Sequence, residues 1–120
     1  MNGTVTRLHA MLDVSFVLMN GTLQQAPFVI DTGFTGHLSL PLQDILTLGL
    51  PPLRTQRASL ADNSEISLVT YLATILWDGK PVTVEVFATG ERPLLGTGLL
   101  EGYSLKIRFV ENGTVLIEAL

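Results

Sequence analysis

Apolar and polar residues alternate over much of the chain, which is the period of a β-strand. The longest alternating stretch covers residues 7–18, and residues 103–109 repeat the pattern. The Asn-Gly pairs at 20–21 and 112–113 and the Asp-Gly pair at 78–79 follow or precede such stretches, and these dipeptides favour tight hairpin turns. The pattern therefore predicts an all-β chain built from successive hairpins.

Further hairpins and one or two short helices complete the predicted secondary structure. Residues 53–60 and 64–77 are predicted to pair as a hairpin. A proline at its start and a glycine beyond its end predict a short helix over 41–48, and a brief helical turn is predicted over 97–101. A chain of 120 residues is long enough for one core, so we expect a single domain over 1–120 that forms a compact, closed β barrel.

Composition and charge exclude several classes of function. Seven Lys and Arg oppose eleven Asp and Glu, and a net charge of -4 is the wrong sign for a protein that binds nucleic acid. The chain has no cysteine and only two histidines, so we expect no disulfide, no metal site and no cofactor. A hydrophobic content of 47% with 15% charged residues indicates a buried contact between subunits.

The sequence shows neither a signal peptide at residues 1–7 nor a membrane-spanning segment. Residues 1–7 lack the basic start and the short apolar block of a signal peptide, and no apolar run is long enough to span a bilayer. The absence of cysteine is typical of a reducing compartment. We therefore expect a cytoplasmic protein that has no membrane partner.

Asp31 is the acidic residue whose position points to chemistry. The other acids lie at turns, at the start of the predicted helix or on polar strand faces, whereas Asp31 follows the apolar strand 28–30 and begins a loop. A carboxylate in such a setting is either a hydrogen-bonded pin of the loop or part of a site. Hydrolysis by carboxylates alone needs two of them in contact, because one accepts a proton from water while the other polarises the carbonyl group.

The surrounding residues resemble a known family. The segment 28–38, which reads FVIDTGFTGHL, and the later Leu94-Leu95-Gly96 resemble the retropepsin-like aspartic peptidases. The likeness is closest to a small prokaryotic group with an Asp-Thr-Gly-Phe-Thr-Gly signature, and it covers nearly the whole chain. It implies a retropepsin-like fold and an endopeptidase that cleaves extended peptides as a homodimer.

The resemblance also implies roles for individual residues. Asp31 would pair with its copy across a two-fold axis and share one proton with it, Thr32 would hydrogen-bond across that axis, and Gly33 would allow close approach of the backbone. Residues 59–66 would form a flap over the substrate. Substrate contacts are implied beside the acid and at the tip of the flap, at Phe34, Thr35, Ala61, Asp62 and Asn63.

A second interpretation stays open. Phe34 stands where aspartic peptidases usually have a small residue, and it would crowd a substrate pocket beside the acid. The flap tip lacks glycine, although Asn63 tolerates the left-handed conformation that a tight turn needs. The alternative is therefore a catalytically weak or inactive peptide-binding or dimerisation module that has the same fold.

Overall fold

A computed structural model describes all residues, 1–120, as one ten-stranded sheet with two short helices. The strands are β1 (Asn2–Thr6), β2 (His9–Val17), β3 (Leu23–Ile30), β4 (Leu38–Leu40), β5 (Pro52–Ser59), β6 (Glu65–Trp77), β7 (Lys80–Ala88), β8 (Leu94–Leu95), β9 (Tyr103–Ile107) and β10 (Thr114–Ala119). The helices are α1 (Leu42–Leu48) and α2 (Thr97–Leu100). Neither helix is long and apolar enough to cross a membrane.

The order of strands in the sheet is β5-β6-β7-β4-β8-β3-β2-β1-β10-β9. Strand β2 also pairs with β6 at Ser15–Leu76 and Phe16–Ile75, which joins two distant parts of the sheet. The predicted all-β class with short helices is confirmed. The closed barrel stays a prediction.

The main core lies on the buried face that the alternating pattern defines. In β2, every second residue from Ala10 to Phe16 is buried, and the Phe16 ring lies 6.0 Å from the ring of Phe28 on β3. Ile45 of α1 and Leu99 of α2 extend the same core. Burial of each large apolar side chain contributes about 1.5–3 kcal/mol to folding.

The N-terminal hairpin differs from the prediction. The alternation predicts a strand from residue 7, but Arg7 and Leu8 form a turn between β1 and β2 with φ angles of 51° and 67°. Leu8 is consequently 80% exposed instead of buried. The pair Asn2-Gly3, which favours a turn by sequence, lies inside β1, where a Cβ on Gly3 would be 1.9 Å from the Met11 carbonyl oxygen.

Strand β8 brings two loops that are distant in sequence together. It pairs in parallel with β3, with Ile30 beside Leu95, and antiparallel with β4, with Leu38 beside Leu95. Since β3 ends immediately before Asp31 and β8 ends immediately before Gly96, the loops that follow these two strands lie side by side.

The hairpin of β5 and β6 forms one edge of the sheet. Strand β5 pairs only with β6, whereas β6 continues into pairing with β7. The turn at its tip is closed by Asp62, whose Oδ1 accepts hydrogen bonds from the backbone N–H and the hydroxyl of Ser64. These bonds lower the pKa of Asp62. Asn63 has a φ of 68°, which confirms that it takes the left-handed conformation.

Candidate active site

Asp31 is held by backbone hydrogen bonds at the end of β3. Its N–H donates to the Leu95 carbonyl at 2.9 Å, and its carbonyl accepts from the Phe34 N–H at 3.1 Å. Its side-chain Oδ1 accepts from the Gly33 N–H at 2.9 Å. The other carboxylate oxygen, Oδ2, accepts no hydrogen bond within the chain, and the residue is half-buried. One oxygen is thus fixed to the loop while the other stays available.

The loop after Asp31 is bonded to the segment that follows β8. The backbone N–H groups of Gly96, Thr97 and Gly98 donate to carbonyls of the loop 34–37 at 2.9, 2.8 and 3.1 Å. The two backbones approach so closely that a Cβ on Gly96 would lie 2.3 Å from the Gly36 carbonyl oxygen. Glycine is therefore required at this contact because no side chain fits there.

A cleft of about 680 Å³ lies between this loop and the β5–β6 hairpin. Such a volume is in the range of sites for small ligands and peptide side chains. One part of its wall is apolar, with Phe34, Leu60, Ile66, Leu68 and Phe87. The polar residues His37, Gln56 and Glu85 also line it.

The structure distributes the predicted site residues over three places. Residues 33–35 line the cleft, whereas Asp31 and Thr32 line a separate, smaller depression of about 360 Å³. Residues 61–63 are exposed at the tip of the hairpin and line neither cavity. The roles that the resemblance gives to these residues stay predictions.

Two residues that sequence reasoning missed lie beside Asp31. His9 and Arg92 line the same depression, and an Arg92 NH1 group contacts His9 Nε2 at 2.9 Å. Strand pairing explains the position of His9, because Met11 faces Val29 in the β2–β3 hairpin and two more steps bring His9 opposite Asp31. The Asn20-Gly21 turn sets this register, so the signal was present in the sequence.

Phe34 packs inside the cleft wall. Its ring meets the ring of Phe87 edge to face, with centroids 5.7 Å apart and planes at 88°. A Cβ on Gly36 would lie 2.6 Å from the Phe34 ring, so this glycine leaves the space that the ring fills. The aromatic pair makes this part of the cleft narrow and apolar.

Glu85 of β7 is the most strongly perturbed carboxylate in the chain. It accepts hydrogen bonds from Arg54 Nε and NH2 at 3.0 and 2.9 Å, from Gln56 Nε2 at 2.9 Å, and from Thr70 Oγ1 at 2.6 Å. The bond from Arg54 is the largest cause that lowers the pKa of Glu85 to about 2, and partial burial acts in the opposite direction. By sequence this residue belongs to a polar strand face, yet its side chain is only 16% exposed.

Neither cavity contains the ligand set of a metal site. No three His, Asp or Glu side chains lie close enough together to hold a metal ion. The groups that the site offers for chemistry are carboxylates, hydroxyls and backbone N–H groups.

Similarity to a solved structure supports the fold over the whole chain. Neither a protein-family model nor a curated protein matches the sequence. The crystal structure of a retropepsin-like aspartic protease from Rickettsia conorii matches 100% of this chain and 91% of that one, with a TM-score of 0.57 and 19% identity. The chain has a retropepsin-like fold. Because the match covers the whole chain, the retropepsin-like fold extends from β1 to β10 and includes the loop that follows β3 and the segment that follows β8.

Proposed function

We propose that the chain is an aspartic endopeptidase that works as a homodimer, and that residues 1–120 form a single domain in each subunit. The observation that carries the proposal is the hydrogen bonding of Asp31, which leaves one of its carboxylate oxygens free in a retropepsin-like fold. Its loop is fixed by the bonds to Leu95 and Gly33, while Oδ2 and the exposed Thr32 hydroxyl have no partner within the chain. A carboxylate held rigidly with one free oxygen suits proton transfer to and from water.

In the proposed dimer, the two Asp31 carboxylates share one proton, an arrangement for which aspartic proteases are the standard example. The ionised carboxylate accepts a proton from the water that attacks the peptide carbonyl carbon. The protonated carboxyl group donates to the carbonyl oxygen, which gives a tetrahedral gem-diol. The carboxyl group that took the proton of the water then donates it to the leaving nitrogen as the C–N bond breaks, and a hydroxyl of the gem-diol returns a proton to the other carboxylate. Gly33 holds Oδ1 in both copies, and Thr32 bonds across the axis. No cofactor takes part.

The proposed substrate is an extended peptide or protein segment in the cleft. Strand β5 is an edge strand with a free row of backbone groups, and residues 56–60 of this region line the cleft. An extended peptide binds such an edge through main-chain hydrogen bonds, while its side chains enter pockets. Phe34 and Thr35 would contact the side chains, and the tip residues 61–63 would close over the peptide when the hairpin bends.

A peptide-binding or dimerisation module without useful turnover is the second candidate. The observation that favours it is the Phe34–Phe87 pair, which fills part of the cleft wall. A peptide library incubated with the protein from pH 3 to pH 7 separates the two functions. New peptide termini support the endopeptidase, and binding without new termini supports the module.

The shared dyad predicts that activity follows dimer formation. On dilution through the dimer dissociation constant, cleavage per milligram of protein should fall in proportion to the dimer fraction measured by sedimentation. The reason is that a lone chain has only one Asp31, and one carboxylate cannot serve as both acid and base at once. Activity per milligram that stays constant in a demonstrably monomeric sample would contradict the shared site.

Phe34→Ala should change the preference of the peptidase for the residue beside the scissile bond. Removal of the ring widens the apolar pocket, so relative cleavage after bulky residues should rise about tenfold, as measured by kcat/KM on paired peptides. The variant should also lose about 2 kcal/mol of stability because the ring is partly buried.

Phe109→Ala is the matched control for this change, since Phe109 is 59% exposed and does not line the cleft. Its preference should equal that of the unmodified chain. An unchanged preference in Phe34→Ala would show that the ring does not face the substrate.

A further inference from the structure

We propose that Glu85 is a positioning residue that fastens the base of the β5–β6 hairpin to the wall of the cleft. The inference concerns the same site and rests on the proposed function for its effect on substrate binding. The fastening itself is a property of the folded chain and is testable without turnover.

The contacts of Glu85 join strands that are not neighbours. Strand β5 pairs only with β6, so its backbone has no direct bond to β7. Arg54 and Gln56 of β5 nevertheless bond to the Glu85 carboxylate on β7, across the intervening strand. Thr70 of β6 lies between them, fully buried, and its hydroxyl contacts both the carboxylate and the Arg54 carbonyl.

This cluster lies next to an irregularity in the pairing of β5 with β6. The β5–β6 register is irregular between Pro52 and Arg54. An irregularity of this kind kinks a strand and weakens its pairing locally. Glu85 therefore holds β5 by side-chain bonds immediately beyond the point at which its backbone pairing is interrupted.

The backbone of Glu85 reaches the loop that follows Asp31. Its N–H donates to His37 Nδ1 at 3.2 Å, and the His37 carbonyl accepts from Gly96. While the first bond exists, Nδ1 carries no proton and the ring proton is on Nε2. One residue thus connects the hairpin with the loop that carries the candidate catalytic acid.

The charge of Glu85 maintains the bonds from its carboxylate to β5 in mildly acidic solution. The pKa of Glu85 falls from 4.5 to about 2, chiefly through the bond from Arg54. A lowered pKa stabilises the fold fully above the unfolded value of 4.5, and that stabilisation is lost as the pH falls from there towards 2. The charged or titratable groups that face it are Arg54 from β5 and His37 from the loop, while β6 contributes the uncharged Thr70.

Hydrogen–deuterium exchange of β5 tests the fastening directly. In Glu85→Gln, the amides of residues 53–59 should exchange about tenfold faster than in the unmodified chain at pH 7, because local opening of the hairpin becomes easier. After correction for the intrinsic rate, protection in the unmodified chain should decline progressively as the pH falls from 4.5 towards 2. The decline should be smaller in the variant, because residue 85 then has no carboxyl group to titrate.

Glu65→Gln is the matched control. Glu65 also forms an ion pair with β5, to Arg57 at 3.3 Å, but these two side chains are 57% and 82% exposed. An exposed pair of this type contributes little, so exchange in β5 should be unchanged. Equal protection of β5 in Glu85→Gln and in the unmodified chain would overturn the proposal.

Kinetics give a second and separable readout. Because a loosened hairpin binds substrate less well, KM should rise about tenfold in Glu85→Gln while kcat changes less than about threefold. If the unmodified chain cleaves no peptide, the endopeptidase is wrong, and exchange in β5 still decides the role of Glu85. If Glu85→Gln does not fold, Arg54→Gln is the second variant, because it removes the main partner of Glu85 and Arg54 is itself mostly exposed. Unchanged exchange of β5 in Arg54→Gln would also overturn the proposal.

Discussion

Asp31→Asn should abolish peptide cleavage, with a fall in kcat/KM of at least about a thousandfold. An asparagine amide cannot accept the proton of the attacking water, so neither copy in the dimer supplies a base. The amide oxygen of Asn still accepts the Gly33 N–H bond that now goes to Oδ1, so the loop geometry should persist. The measurement is kcat/KM from pH 3 to pH 7 on a peptide selected from the library.

Asp78→Asn is the control for this substitution. Asp78 is exposed in the turn between β6 and β7, with a φ of 54°, and asparagine suits such a turn equally well. Its activity should therefore equal that of the unmodified chain. Thermal unfolding and sedimentation of Asp31→Asn should show an intact, dimeric fold. Cleavage that survives in this variant would remove Asp31 from the mechanism.

Much of the fold follows from local patterns because most strands have one buried face. The alternation in β2 and β9 and the turn signals at Asn20 and Asp78 predict hairpins close to those observed. Helix α1 begins at Leu42, one residue later than predicted, and it ends before Gly49, which has the left-handed conformation of a helix end as the sequence suggests.

The first turn could not be predicted in the same way. Arg7 and Leu8 both have positive φ angles, which cost about 1–2 kcal/mol each for residues with a side chain, and neither is a usual turn residue. Pairing of β1 with both β2 and β10 stabilises this conformation. Contacts made by residues more than a hundred positions away thus override the local preference.

The candidate site was only partly visible in the sequence. The resemblance to a known family predicts the Asp31 loop. The role of Glu85 depends instead on its hydrogen-bond partners on two other strands, among them Gln56 and Thr70. A polar residue on a strand normally predicts a solvent-facing position. Only the pairing of β5 with β6 and of β6 with β7 reveals that these polar groups converge.

Gly96→Ala should destabilise the fold by about 3 kcal/mol or more, because the added methyl overlaps the backbone. A Cβ there would lie 2.3 Å from the Gly36 carbonyl oxygen and 2.6 Å from that of Phe34. Gly96 is buried, and backbone atoms cannot rotate away as a side chain can. The loop that carries Asp31 would have to move, so the midpoint of thermal unfolding should fall by roughly 10 °C or more.

Gly21→Ala separates this overlap from the general effect of replacing glycine. Gly21 has a φ of 82° and open space around it, so alanine there meets only the conformational cost of about 1 kcal/mol. Gly96 has an ordinary φ of -98°, so glycine is needed there only because a side chain has no space. If both variants lose the same stability by thermal and urea unfolding, the close approach of the two loops is not a constraint on this fold. A much larger loss in Gly96→Ala shows that the contact beside Asp31 depends on a residue without a side chain.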